Sequence, residues 1–530
     1  MKIDWKVAGV SAAIFTGAFV VYLSTLAPGI TWRNYGSDSA EFSTAVQVMG
    51  VAHPTGYPTF LILYKLFAVV FPFGDLAHRL SVLSALLAAG AAVLVFFGGR
   101  TLLRLLDPEA GSRPLAFILA PLVAALAFAF APLVWSQATI TEVYALDAFL
   151  VAAVLLFLLR SRLARQSRPA GRRWDWDLIA AAALLGLGLG NHVTILALLP
   201  VGIVLTLTGK NRPPARHLVV AGLALLVALG VYVYLPVRAA TDPPVNWGRP
   251  ANLSGFFWEI SGAAYRSYLF AVGPRLAIGR LSALSTLLFQ QFNALGLILS
   301  LIGAALIFTR DRLLFLTMLF FMAAVIAYAV RYLPSDSLVY VIPVLLVLTL
   351  WMSVGLYFLM DLLAVRVATP KQGGAAKALP ALAGVAALLV VPALTLALNY
   401  SDQNIRNDRS AIEYYQEALA AVEPNALILV QGDQHVFSLW YGRFVQQPES
   451  KVAVVATELA QFDWYYNSLA RTFPGLVTPP GRDVFERNKL LVEQNRPLRP
   501  IYLTSEGVYP FDQFAMEKAP LPHGALYRLK

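Results

Sequence analysis

A helix that crosses a bilayer needs roughly 20 predominantly apolar residues. This chain offers runs of that kind, some shorter, at 7–27, 80–103, 115–134, 142–160, 178–191, 193–209, 217–236, 282–309, 313–331, 337–360 and 380–399. No soluble globule tolerates such a pattern. Charged residues make up 13% of the 530 against about 25% in an ordinary globular domain, and mean hydropathy is +0.65. The expected fold is mainly α, a polytopic membrane protein with about 11 transmembrane helices. With no cysteine in the chain, disulfides and thiolate-bound metals are excluded.

The net charge of +11 superficially suits nucleic acid, but the basic residues sit between apolar runs, as cytoplasmic loops do. No nucleic-acid partner is expected. Lys2 and Lys6 precede a first run too long for a signal peptide, which puts the N-terminus in the cytoplasm. Arg160, Arg162, Arg165, Arg168, Arg172 and Arg173 lie before 178–209, and Lys210, Arg212 and Arg216 after it. Two basic flanks require two crossings, with Gly190-Asn191-His192 as an outer turn. By the same alternation residues 28–79 form a long outer loop and 401–530 lie outside. The latter alternate helical stretches with short apolar runs at 426–432 and 451–458, so a small C-terminal extracytoplasmic α/β domain follows the 1–400 membrane part. One loop resists the rule: 237–281 falls outside yet holds Arg238, Arg249, Arg266, Arg275 and Arg280. Either the count slips by one there, or those arginines serve an external phosphate, which guanidinium binds bidentately.

The outer loop opens with GSDSAEFSTAVQVMGVAHP, residues 36–54. Its first part reads as an amphipathic helix ended by His53-Pro54. Asp38 and Glu41, at i and i+3, share a face. Two readings stand. Ser37 or Asp38 can be an N-cap, with Asp-x-x-Glu as a capping box in a first turn that suits the helix dipole. Alternatively Asp38 projects into a cavity as a general base, with Glu41 beside it. The next stretch, YPTFLILYKLFAVVFPF, is apolar but short and bracketed by prolines, so it reads as interfacial or re-entrant.

This order of parts resembles the GT-C superfamily of membrane glycosyltransferases, and within it the bacterial protein O-mannosyltransferase-like family. The resemblance rests on the carboxylate loop, on HPTGYPTFLILYKLF and HRLSVLSALLAAGAAVLVFF, and on WSQATITEVYALDAF, GLGLGNHVTILALLP, YLPVRAATDPPVNWG and LVQGDQHVFSLWY. It implies an inverting transfer of one sugar, mannose in this family, from a polyprenyl-phosphate donor to a protein Ser/Thr or a glycan hydroxyl outside a cell (inner) membrane. It implies Asp38 as base, Glu41 in a supporting or acceptor-orienting role, and His53 heading the following motif. Arg238 and Arg249 suit the leaving phosphate. No cofactor is implied beyond the lipid-linked donor, and these enzymes are regarded as metal-independent. A divalent ion shared by Asp38 and Glu41 is therefore not favoured, and no HExxH-like pair is present.

Other candidates divide between structure and chemistry. Glu142 opens a span near the outer face and can be solvated, capping or functional. Asp147 lies deeper and calls for a partner inside the bundle. His192 at the outer turn is a helix-end histidine or a contact for donor phosphate or acceptor. Arg331 either pairs with Asp336 or joins the phosphate site. Asp433 and His435 sit in a strand-end loop suited to the acceptor. Gly186, Gly188 and Gly190 read as a close helix contact rather than a phosphate loop. Trp258, Tyr265 and Tyr268 read as interfacial anchors. Two other functions compete: a transporter or flippase of lipid-linked sugars, and a non-catalytic sensor with an external binding domain. Neither needs a carboxylate-bearing first loop.

Overall fold

The structure is a computed structural model that describes residues 4–167, 174–208, 211–367, 374–505, 511 and 514–530. Lys2, Arg168, Arg172, Arg173 and Lys210 lie outside the described residues. Helices dominate the first four hundred positions. Seven are long and apolar enough to cross a membrane: Trp5–Thr25, Leu76–Leu106, Val143–Gln166, Ala215–Ala239, Pro274–Arg310, Arg312–Arg331 and Asp336–Leu362. The pair Pro114–Ala129 and Pro132–Ala138, bent by 62°, adds an eighth when taken as one span. Residues 178–191 and 193–209 give two short apolar helices, Trp176–Leu189 and Val193–Leu207, which meet at the Gly190–His192 turn. Local chemistry sets many of the starts. Proline stands at the first position of Pro58–Val70, Pro114–Ala129, Pro132–Ala138 and Pro274–Arg310, where its missing N–H costs nothing. Asp75 and Asp311 cap their helices by accepting from His78 N and Leu314 N.

The helices approach closely where side chains vanish. A Cβ on Gly303 would stand 1.8 Å from Trp351 O, and one on Gly355 2.1 Å from Leu299 O. Pro274–Arg310 and Ile342–Val367 therefore cross nearly backbone to backbone. A Cβ on Gly186 would meet Ala228 Cβ at 2.7 Å, which accounts for that glycine as a helix contact.

At one end of the bundle the arginines between helices are paired. Arg162 meets Asp311 at 2.7 Å, Arg165 meets Asp175 at 3.0 Å, and Arg113 reaches both Asp107 (2.6 Å) and Asp361 (2.8 Å). At the other end sits the C-terminal part, with five strands: β1 (Leu427–Val430), β2 (Ala453–Ala456), β3 (Ile501–Leu503), β4 (Met516–Leu521) and β5 (Gly524–Leu529). Their order is β2-β1-β3-β5-β4, parallel for β1 with β2 and β3, antiparallel for β5 with β3 and β4. β1 and β2 are buried throughout, as strands covered on both faces must be. This part is fastened to the helices. Asp75 accepts from Tyr441 Oη and Gln446 Nε2, each at 2.8 Å, Thr31 donates to Asp408, and Trp32 Nε1 donates to Ser438 Oγ at 3.0 Å.

Two local expectations change. The carboxylate helix spans Ser37–Val48 and ends in a left-handed Met49 (φ 50°), not at His53-Pro54. The reason is tertiary: Arg238 Nε takes Met49 O (2.7 Å) and Nη2 takes Val48 O (3.3 Å). Tyr234 Oη takes Gly50 O (2.8 Å), and Val51 N pairs with Val245 O (2.9 Å). Nor is this helix amphipathic in place, since Ser39 through Val46 are all buried. The Pro58–Val70 helix has 13 residues, about 20 Å long, and so falls short of a hydrocarbon core of roughly 30 Å.

Candidate active site

Ser37–Val48 holds Asp38 and Glu41 one turn apart, and neither acts as a cap. The N-cap is Gly36, with no side-chain cap bond. Glu41, fully buried, turns to the His53 loop instead. Its Oε1 accepts His53 N–H at 2.9 Å and its Oε2 is hydrogen-bonded to His53 Nδ1. The capping-box reading is thereby replaced: a reciprocal bond back to the helix start would need the very oxygens that His53 occupies. His53 Nε2 faces Asp38 Oδ2 at 3.9 Å and Tyr57 Oη at 3.1 Å. Phe42 and Trp247 flank the imidazole, with ring centres 5.2 and 6.1 Å away.

The electrostatics follow from this geometry. Burial pulls the His53 imidazole down. The charge and hydrogen bond of Glu41, then the charges of Asp38 and Asp433, more than offset it and leave it at about 9. His53 is a cation neutralising a buried anion. Burial pushes the Asp38 carboxyl up, His53 pulls it back, and Glu41, Asp433 and Asp336 push it up again, to about 7. Its side chain is 37% exposed, so solvent screening moderates that rise. A carboxyl balanced near neutral pH beside a fixed cation has the profile of a general base.

The tertiary fold brings several distant residues to this pair. The helix Asp433–Tyr441 packs on Ser37–Val48 and sets Asp433 at its first turn, within electrostatic reach of His53, Glu458, Glu41 and Asp336. Burial foremost raises its carboxyl. Glu142, buried just before its helix, lies within reach of Asp38, Asp336 and Glu41, and its Oε1 has no partner among the described residues. Burial and then the charge of His53 hold His192 down at about 4. Its ring forms a cluster with Tyr144 (5.5 Å) and Tyr340 (5.2 Å), whose own ring centres are 5.9 Å apart. Tyr340, Tyr328, Tyr332, Tyr268 and Tyr265 continue as a chain of ring contacts back to His53, with Tyr265 6.2 Å from it.

Other named residues stand elsewhere. Arg238 closes the carboxylate helix through two carbonyls, as described above. Arg249 forks onto Asp242 at 2.9 and 3.1 Å, with Arg471 also on that carboxylate at 3.7 Å. Arg331 Nη2 donates to Phe270 O at 3.2 Å. His435 packs on Trp32 and Tyr414 with ring centres 5.7 and 4.9 Å away, and burial lowers its imidazole. Sequence reasoning passed over Tyr57, Tyr328 and Tyr340, and read Tyr265 as an anchor. Tyrosines near apolar ends always invite that reading, and no local signal separates the two roles. Among the described residues no group of three or more His, Asp or Glu side chains is gathered to hold a metal ion. Beside His192 opens an apolar groove of about 420 Å³, lined by Val193, Thr194, Leu196, Pro200, Val325 and Tyr328 among others.

Comparison with known proteins adds a family pattern. Residues 38–214 match the family model described as the protein O-mannosyl-transferase TMEM260 N-terminal domain, and residues 411–474 match TMEM260-associated domain 2. The protein O-mannosyl-transferase TMEM260 of Mus musculus is 28% identical over 491 residues, covering 89% of this chain and 66% of its own length. Its counterpart in Dictyostelium discoideum is 22% identical over 537 residues, covering 92% and 63%. The chain thus spans a little under two thirds of these relatives. In fold it is similar to ArnT from Cupriavidus metallidurans bound to undecaprenyl phosphate, with TM-score 0.59 at 13% identity over 99% of this chain and 98% of that one.

Proposed function

We propose that this chain, a GT-C fold whose sequence is similar to protein O-mannosyl-transferases, transfers one mannose from a polyprenyl-phosphate donor to a protein Ser or Thr hydroxyl. The reading places the reaction on the outer face of the membrane, at the end where the C-terminal sheet packs on the bundle. The observation that carries it is the Asp38–His53–Glu41 arrangement. A partly exposed carboxyl that titrates near neutral pH faces a cation pinned by a fully buried glutamate.

In that reaction Asp38 accepts the hydroxyl proton while the acceptor oxygen attacks the anomeric carbon. The bond to the phosphate oxygen breaks with inversion, and polyprenyl phosphate leaves with the bonding electrons. His53 keeps Asp38 partly ionised. The apolar groove beside His192 suits an isoprenoid tail, and the relative in complex with undecaprenyl phosphate supports such a donor. His192 and the tyrosine chain then face the phosphate and sugar, Glu142 borders the transfer point, and Asp433 and His435 lie on the acceptor side. Arg238 shapes the site through the helix it closes. Arg249 and Arg331 contribute positive charge to the phosphate from farther out.

The test is transfer by the purified protein, using radiolabelled polyprenyl-phosphate mannose and a pool of candidate acceptor proteins. Asp38→Asn runs beside it, with a melting curve to show that the variant is folded. Transfer by wild type that is lost in folded Asp38→Asn supports the reading. Equal transfer by both removes Asp38 as base, and failure of wild type with every sugar donor tried removes the enzyme assignment.

A further inference from the structure

Asp147 lies inside the helix Val143–Ser167, 3% exposed, and the transfer chemistry makes no direct use of it. Its Oδ1 has no hydrogen-bond partner among the described residues. Its Oδ2 stands 3.1 Å from Thr194 Oγ1, and that hydroxyl stands 2.8 Å from His192 Nδ1. Thr194 N–H also points at Nδ1, at 3.4 Å. The imidazole also meets the rings of Tyr144 and Tyr340.

A hydroxyl has one hydrogen to donate. If Asp147 is a carboxylate, Thr194 must donate to it, and His192 Nδ1–H then donates to Thr194, leaving a bare Nε2 lone pair. If Asp147 is the acid, its own O–H donates to Thr194, Thr194 donates to Nδ1, and the ring carries its hydrogen on Nε2. The backbone N–H of Thr194 needs an acceptor at Nδ1, which selects the second arrangement. An unpartnered oxygen 3% exposed selects it too, because a buried anion with one hydrogen bond is costly.

We propose that Asp147 is a positioning residue that fixes the tautomer of His192 through the single proton of Thr194, so that Nε2–H is offered as a donor to a phosphate oxygen. The proposal rests on the donor reading above for its ligand, but not for the relay itself. When Asp147 ionises, the direction of both bonds reverses and the histidine turns a lone pair on the phosphate instead. Phosphate binding should therefore weaken as pH rises through that ionisation. Other groups facing the pair also titrate. They are Tyr144 on the same helix, Tyr340 from the turn Ser335–Val341, and His53, whose charge reaches His192. Only a difference between variant and wild type is diagnostic.

The experiment uses the full chain in lipid nanodiscs with nitrogen-15 imidazole labels. His192→Gln assigns the His192 resonances, and undecaprenyl phosphate is titrated across the neutral and alkaline range. Wild type is expected to show the Nε2–H tautomer at neutral pH and to lose about tenfold in affinity on alkalisation, a change of about 1.4 kcal/mol. Asp147→Asn, whose amide N–H donates as the acid does, should keep that tautomer and lack the alkaline loss. Thr194→Val keeps the backbone N–H at Nδ1 and should hold the Nε2–H tautomer at every pH, uncoupled from Asp147, and Thr194→Ser should restore the switch on alkalisation. An alkaline limb in Asp147→Asn like that of wild type, or a tautomer in Thr194→Val that still switches on alkalisation as in wild type, overturns the relay. If His192→Gln binds undecaprenyl phosphate with wild-type affinity while the tautomer still follows Asp147, the donor reading fails and the relay stands.

Discussion

Replacing His53 with Gln removes the cation 3.9 Å from Asp38 and should displace the acid limb of the transfer reaction. Two unit charges at about 4 Å interact by about 1 kcal/mol in bulk water and by about 4 kcal/mol at an effective dielectric of 20. Because the Asp38 side chain is 37% exposed, the lower figure is the better guide, and about 1.4 kcal/mol corresponds to one pK unit. Glu41, no longer neutralised, pushes the same way. The base acts ionised, so activity is present above its pKa and lost as pH falls through it. In wild type the acid limb should be centred at about 7. In the variant it should lie about one unit higher. At pH 7 the ionised fraction drops from about one half to about a tenth, so kcat/KM falls about fivefold and recovers as pH approaches 9. The assay is release of polyprenyl phosphate from labelled donor with acceptor present, over a pH series, with a melting curve on each protein. An unshifted limb in folded variant, or a loss that persists at alkaline pH, would refute the argument that His53 tunes Asp38.

Four further outcomes are expected. Glu41→Ala strands the His53 cation and its backbone N–H in a buried site. It should cost about 3–5 kcal/mol and melt well below Glu41→Gln, whose amide oxygen still accepts from His53 N; equal melting points would sink the pairing argument. Gly303→Leu forces apart two helices that meet at backbone distance and should cost more than about 2 kcal/mol, seen as a lower melting point and poor monodispersity. Gly279→Ala, with nothing within 4 Å of its new Cβ, should stay within about 0.5 kcal/mol of wild type or gain slightly. Asp75→Ala cuts the two bonds from Tyr441 and Gln446; cleavage between 400 and 430 by added protease should accelerate, and an unchanged rate would mean other contacts hold the C-terminal part.

Much of the architecture is written in local sequence, because bilayer thickness imposes one length on every crossing and proline and aspartate mark helix starts wherever they stand. The long apolar runs, the two short apolar helices at 178–209, the strands at 427–430 and 453–456 and the placing of Asp38 and Glu41 on one helix all follow from local pattern. What Glu41 does does not follow. Asp-x-x-Glu in a first turn spells a capping box, and only the fold shows those oxygens on His53, 12 residues on. The helix end at Met49 was likewise decided by Arg238, 189 positions away. The tyrosine chain from His53 to His192 draws on three separated segments, at 265–268, 328–332 and 340, each of which taken singly reads as an interfacial anchor. Sequence determined which segments are helices and which carboxylates are scarce enough to matter. Tertiary structure decided which of them lie within reach of one another, because protonation and partner choice depend on burial and on charges within a few ångströms, and those distances exist only after the helices have packed.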